Sequence, residues 1–450
     1  MVTWSVVKKE KYFLILLFLA SLVVRLAFFS AYTRHHITEN LVFDAEQYHH
    51  VALQIAHGNG ITTKEGTPNF YRLPGYPLFL GACYAATNDT VETTLWVQVI
   101  LASIIPLLIW VLGMVMFPSV PLVAWLASLL SVFHLGLVIY AGMLLSESLF
   151  LIFFLLFLIL FFTALAGGRS SMWLMASSGV ILGFASLIRA IGPYVIALSF
   201  MLIVICCATW RLRLRMMAIL GSSWLLVVGM WLVRNFLLTG AFFFHTLPGL
   251  HFLQYSAVYV VMDQDDLDYF QAKKKVLSAW EKMVEDEEHA LGKKLSEYER
   301  YARAERLAFR ILAAHPLNAL KHAFTHIVRT CGTLNSTLLL YVPRGTVYGK
   351  DASLWFKIKL YLTPRVLDPW LIPIIYWELV LSLFIVVGMM VVLLRALWDR
   401  CARRIVVMIL PFVILFVGIT LAYGCARLRL PVEPLLLLGA VYGWLGLFQT

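Results

Sequence analysis

Charge is what this chain has least of: Asp, Glu, Lys and Arg make up only 14% of its 450 residues, against 61% hydrophobic ones. A soluble domain carries about 25% charged residues, so a water-soluble fold is excluded and most of the chain must lie in lipid, as its mean hydropathy of +0.84 also requires. Acids are scarcer than bases, 25 against 36, which leaves a net charge of +11. That surplus does not point to nucleic acid, because no basic stretch is soluble; Lys and Arg gather at the ends of apolar runs, where they set membrane orientation. Cysteine is sparse too. Cys83, Cys206, Cys207, Cys331, Cys401 and Cys425 show neither zinc-ligand nor disulfide spacing, which argues against redox chemistry and a disulfide scaffold. There is no internal repeat and no low-complexity stretch. The run Tyr12 to Tyr32 follows Lys8, Lys9 and Lys11 as in a signal peptide, but it is long enough to span and no small-residue cleavage site follows, so it reads as an anchor.

Spans of ~20 mostly apolar residues fall at 12–32, 93–117, 120–141, 146–166, 172–188, 193–209, 216–234, 370–394, 405–424 and 431–448. The expected fold is an all-α polytopic bundle of about 10 to 12 transmembrane helices, one membrane domain over 1–450 with interfacial helices in its outer loops. Alternate connections hold Lys8, Lys9 and Lys11, then Arg169, then Arg211, Arg213 and Arg215, then Arg395, Arg400, Arg403 and Arg404. The positive-inside rule makes these cytoplasmic, together with both termini. The outer segments are then 33–92, the turns near 140–147, 189–192 and 425–430, and the long stretch 235–369. Within that stretch 263–310 is rich in charge of both signs and reads as a solvated helical insertion. Leu317 to Tyr341 is apolar but interrupted by Lys321, His322, His326 and Arg329, which suits a helix lying in the interface.

Orientation leaves five arginines unexplained. Arg72, Arg189, Arg234, Arg427 and Arg429 all fall on the outer side, where the positive-inside bias has no use for them. Snorkelling to lipid phosphates accounts for any one of these; five together suggest a pocket for an anionic phosphate, which a guanidinium fork matches well. Asp44 opens a helical stretch that runs to His57 and stops at Gly58-Asn59-Gly60, and an acid there is equally what helix capping favours. Glu147 is the one acid between residues 93 and 262 and has no role in orientation. A transfer to a hydroxyl or amine needs a base for the acceptor proton and positive charge for the leaving phosphate. Asp44 can supply the first and the arginines the second, and Asp44 and Glu147 are the natural ligands of a divalent cation if one binds. The crowded His35, His36, His49, His50 and His57 form no metal-binding pattern and read as surface residues. Trp355, Trp370 and Trp377 fit an interfacial belt, and Cys206-Cys207, at an inner helix end where palmitoylation is the alternative, reads as inert.

Taken in order, these residues resemble the GT-C superfamily of integral-membrane glycosyltransferases (family 39-like), in the bacterial branch of the protein mannosyltransferases and lipid A aminoarabinose transferases. Arg25, then Asp44, Tyr48, Ala52 and Gly58-Asn59-Gly60, are similar to the family's first span and first loop. Tyr71-Arg72-Leu73-Pro74-Gly75-Tyr76-Pro77-Leu78 resembles the motif before its second span, with Arg72 where the aminoarabinose transferases have a phosphate-binding lysine. Leu145-Ser146-Glu147, Leu187-Ile188-Arg189, Trp231-Leu232-Val233-Arg234-Asn235 and the run from Ala426 to Pro434 match further motifs. The resemblance implies a polyprenyl-phosphate-linked sugar donor, with Asp44 and Glu147 catalytic and Tyr48, Tyr71, Arg72, Arg189, Arg234, Asn235, Arg427 and Arg429 binding substrate. The mannosyltransferases' Asp-Glu pair is interrupted here by Ala45, so Glu46 inherits no role. No outer soluble module of the oligosaccharyltransferase kind is present, which favours transfer of a single sugar to a lipid, glycan or protein acceptor. A bacterial cytoplasmic membrane is the simplest host, since the loops are short. A transporter or lipid flippase and a noncatalytic envelope assembly protein are the rival readings; the first favours ionisable residues near the bilayer midplane.

Overall fold

The structure is a computed structural model that describes residues 10–37, 41, 44–167, 171–340, 363, 364, 366 and 368–448. Lys8, Lys9, Phe43, Arg169 and Trp355, and both chain termini, lie outside the described residues. Within them the protein is helical, with no strand and one isolated bridge between Thr62 and Pro68. Eight helices are long and apolar enough to cross a membrane: Lys11–Ala31, Val91–Met116, Glu147–Leu165, Ser171–Ile188, Trp210–Thr239, Pro369–Arg395, Arg400–Leu421 and Ala426–Leu447.

Two of the ten expected spans differ from a single full-length helix. The segment 120–141 is two helices, Leu122–Val132 and Leu135–Gly142, that meet at 58°. His134 is the cause: it has extended backbone, and its Nδ1 accepts from the Leu137 amide at 3.4 Å, so one helix ends and a new one is capped. The segment 193–209 is the 15-residue helix Gly192–Cys206. At 1.5 Å per residue that is about 22 Å, short of the ~30 Å hydrocarbon thickness. The charged insertion forms helices Tyr269–Leu291 and Glu297–Ala314, each begun by a capping box. In Pro316–Gly332, His322, His326 and Thr330 are buried on one face, whereas Leu317, Leu320, Phe324 and Val328 stand exposed on the opposite one.

The bundle is built around Glu147–Leu165. A helix that is apolar all round must be covered on all sides. Here Phe150, Phe154, Phe157 and Phe161 are completely buried, and Phe154 packs against Phe412 and Phe416 of the helix Arg400–Gly418 at 5.9 and 5.2 Å between ring centroids. Small residues bring other helices into backbone contact, as lipid-embedded packing requires. Gly179 and Gly183, four apart on Ser171–Ile188, meet Trp210–Thr239 so closely that a Cβ on Gly183 would lie 2.6 Å from Val227 Cβ. Gly388 meets the last helix at Ala440 in the same way.

Replacing Gly183 with leucine is therefore expected to destabilise the detergent-purified protein by the about 1–3 kcal/mol typical of overpacking. Gly229→Leu, on the same long helix with nothing within 4 Å of its added Cβ, should leave the thermal midpoint unchanged or slightly raised, since leucine is the better helix former. Equal effects of the two substitutions would contradict this packing.

Candidate functional site

Asp44 is the first residue of the helix Asp44–Ala56, where the helix dipole favours a carboxylate. Arg72 is presented by a turn that Asn69 shapes: its side-chain oxygen accepts from the amides of Tyr71 and Arg72 at 3.2 and 3.3 Å, and its amide donates to the Arg72 carbonyl at 3.1 Å. Three residues on, Gly75 begins the helix Gly75–Thr87, and a Cβ there would lie 2.8 Å from the Leu187 carbonyl oxygen. This close approach sets the helix end that carries Arg189 beside the Arg72 turn. Glu147 starts the central helix. The segment ahead of it is fixed by Gln98, which donates to the carbonyls of Ala141 and Met143 at 2.9 and 2.7 Å and accepts from the Tyr76 hydroxyl at 2.8 Å.

These elements converge on one ionic network. Arg72 Nη2 meets Asp44 Oδ1 at 2.5 Å, its Nε donates to Gln47 Oε1 at 2.8 Å, and its guanidinium lies over the rings of Tyr48 and Tyr71 at 4.8 and 4.9 Å. Arg427 bridges both acids, Nη1 meeting Asp44 Oδ2 at 2.9 Å while Nε donates to Glu147 Oε1. Arg189 Nη1 donates to the same Glu147 oxygen at 2.8 Å. Glu147 is completely buried and its Oε2 has no hydrogen-bond partner among the described residues. Five of the residues singled out from the sequence thus form one chain of ion pairs, Arg72 to Asp44 to Arg427 to Glu147 to Arg189, with Tyr48 and Tyr71 against Arg72.

Arg234, Asn235 and Arg429 are placed elsewhere. Arg234 donates to the carbonyls of Asn69 and Ile61 at 3.0 and 3.2 Å and to Asn235 Oδ1 at 2.9 Å, so it braces the loop behind Arg72. Asn235 donates to the Phe243 carbonyl at 3.0 Å. Arg429 pairs with Glu433 at 2.5 Å and donates to the Thr330 carbonyl at 2.8 Å, which ties the last helix to the end of Pro316–Gly332.

Burial alone would raise the Asp44 carboxyl, but the Arg72 and Arg427 guanidiniums overcome it and hold the group well below its ordinary range. Burial also opposes charge on Arg72, and Tyr48 and Asp44 more than offset it. His245 and His251, which the sequence did not mark, lie near enough to interact with Arg72, and His251 also with Asp44 and Arg427. Burial pushes both imidazoles down to about 4, so they are neutral beside the network at pH 7.

Three guanidiniums facing two carboxylates leave one positive charge in excess. Both Asp44 oxygens and one Glu147 oxygen are engaged by arginines, and no group of three His, Cys, Asp or Glu that could hold a metal occurs among the described residues. An anion fits the surplus. Of the first-loop histidines, His49 meets the Tyr84 hydroxyl at 2.9 Å and His57 meets Asp89 at 2.8 Å, apart from the network.

No protein-family model and no curated protein matches the chain. Among solved structures it is similar to the crystal structure of ArnT from Cupriavidus metallidurans bound to undecaprenyl phosphate, at a TM-score of 0.39 and 14% identity, over 93% of this chain and 78% of that one.

The brace behind the site has its own pH signature. Burial raises the Glu297 carboxyl to about 7, against the opposing effects of the Phe70 amide and Arg234. An acid whose folded pKa lies above its unfolded value makes the fold lose stability as pH rises from the unfolded value through the folded one. Glu297→Gln is therefore expected to raise the thermal midpoint above pH 7 and to make no difference below about pH 4.3, the ordinary glutamate value. A gain of the same size at every pH would refute the assignment.

Proposed function

We propose that this protein is a membrane glycosyltransferase that moves a single sugar from a polyprenyl-phosphate-linked donor to a lipid, glycan or protein acceptor. The observation that carries this reading is Asp44 clasped between Arg72 and Arg427, with Arg427 and Arg189 sharing the buried Glu147. The family-like motifs around these residues and the surplus cation support it. In the proposed reaction the acceptor hydroxyl or amine attacks the anomeric carbon and gives its proton to Asp44. The bond from that carbon to the phosphate oxygen breaks, its electron pair leaves on the oxygen, and Arg72 and Arg427 receive the developing charge. Arg189 and Glu147 hold Arg427 in place. Tyr48 and Tyr71 keep the Arg72 guanidinium flat against their rings. The site faces away from the cytoplasm of a bacterial inner membrane, with both termini inside.

A strain lacking the gene should lose the mass of one sugar from its glycans, glycoproteins or lipid A by mass spectrometry. Asp44→Asn, which keeps shape and removes basicity, should restore transfer about 10²–10⁴-fold less well than the wild type. Full restoration would place the base elsewhere. In the purified protein Arg72→Ala and Arg427→Ala should each weaken polyprenyl-phosphate binding by roughly ten- to a hundredfold, the value of a charge-assisted hydrogen bond. Arg234→Ala should instead lower stability and spare carrier affinity.

The proposed orientation has a separate test. A cysteine introduced for Asp286, in the helix Tyr269–Leu291, should react with an impermeant maleimide added to intact cells. Labelling from the cytoplasmic side alone would reverse the topology.

A further inference from the structure

We infer that the carrier phosphate binds by exchange, taking Arg72 and Arg427 away from Asp44, so that Asp44 is released to act as a base only when a donor is in place. The inference rests on the glycosyltransferase reading and concerns how the same site is regulated.

The two arginines are fixed independently of Asp44. Arg72 is held by Gln47, by two tyrosine rings and by the Asn69 turn, and Arg427 by the buried Glu147. Asp44 is not comparably held. Its side chain is 31% exposed, against 7% for Arg72, and its two oxygens are engaged by those two guanidiniums. It also has an alternative position, because the first turn of its own helix carries amide groups without intrahelical partners. The donor's phosphodiester brings one negative charge and two free acceptor oxygens, and the carrier phosphate left after transfer is a monoester with up to two charges; a guanidinium edge is better matched by either than by one carboxylate oxygen. Leaving Asp44 where it is would set a carboxylate against the phosphate.

The exchange also answers a chemical difficulty. A carboxylate with each oxygen ion-paired to a guanidinium is a poor proton acceptor, and the Asp44 carboxyl is held well below its ordinary range by that pairing. Without a donor the base is masked, and water has no activated partner in the site. Once the phosphate has displaced it, Asp44 can take the proton of the acceptor hydroxyl or amine while the sugar's bond to phosphate breaks and the electron pair stays on the arginine-held phosphate. Product phosphate then leaves as Asp44, its proton passed to water, returns to the arginines.

In the resting site Asp44 is thus an internal competitor of its own substrate, and this fixes the sign of an experiment. Undecaprenyl phosphate is titrated into the purified full-length protein by native mass spectrometry. Asp44→Asn should bind it about tenfold more tightly than the wild type, although transfer is lost. Glu46→Gln removes the same charge two residues away, from an acid 61% exposed and paired with His50 at 3.7 Å, and should tighten binding far less. Asp44→Ser, which removes the same carboxylate with a different side chain, provides a second reading of the same competition should Asp44→Asn fail to fold. Its expected effect is again tighter binding. Unchanged or weaker binding by these variants, or equal tightening by Glu46→Gln, overturns the exchange. Wild-type binding that is absent, or indifferent to Arg72→Ala and Arg427→Ala, overturns instead the glycosyltransferase reading beneath it.

Discussion

Arg427, near the end of the chain, holds two carboxylates from its first third, one from the first loop and one from the start of the central helix, and most of the site depends on that bridge. Taking ions out of water is costly unless each finds a partner with good geometry, and removing one partner of a buried pair is far more damaging than never having the pair. Glu147 is completely buried, so it is tolerable only because Arg427 and Arg189 both reach the same oxygen. Asp44 in turn stands between Arg427 and Arg72. The network therefore closes only when residues 44, 72, 147, 189 and 427 arrive together, which makes the assembled bundle and the assembled site one event.

The apolar scaffold exists to deliver those five positions. Interlocked phenylalanines fix the helix that begins at Glu147. Glycine contacts allow the helix ending before Arg189 to lie against Trp210–Thr239 at backbone distance, and Gly75 lets its end approach the Arg72 turn. In hydrocarbon there is no hydrophobic drive between helices, so small residues and buried hydrogen bonds must carry specificity. Gln98 shows the same principle on a smaller scale: one buried amide ties Tyr76 to the two carbonyls just ahead of the central helix.

Much of this was legible in the sequence, and the reason is electrostatic. In a chain with so few charges, an acid alone in 170 residues and arginines on the side where orientation does not want them are conspicuous. Glu147, Arg72, Arg189 and Arg427 were found on those grounds, and Asp44 by its place at a helix start in the first outer loop and by the family resemblance. The same grounds could not separate Arg234 and Arg429 from the others, because a guanidinium that braces backbone carbonyls or caps a neighbouring helix has no mark in one dimension. The break at His134 was missed because apolar residues continue straight through it, and hydropathy does not register a side chain that caps a new helix. His245 and His251 were overlooked because their meaning comes from proximity to Arg72, between residues distant in sequence that the Thr246 amide helps to join by donating to the Phe70 carbonyl.

Charge balance, finally, is what joins the structural to the chemical reading. A site with equal numbers of acids and arginines would be self-satisfied and would gain little from an anion. One with a large excess of arginines could not be buried at the end of an apolar bundle, since each unpaired ion adds several kcal/mol of desolvation. Three guanidiniums against two carboxylates is the intermediate case. Neutral His245 and His251 add no further charge, so the surplus stays at one, enough to attract a phosphate and small enough for the fold to bear without it. In the proposed reading a donor phosphodiester, with its single negative charge, matches that surplus, and for it to reach both Arg72 and Arg427 the carboxylate least firmly held is the one that must give way. Asp44, at the exposed start of its helix, is that carboxylate, whereas Glu147 is locked inside the bundle.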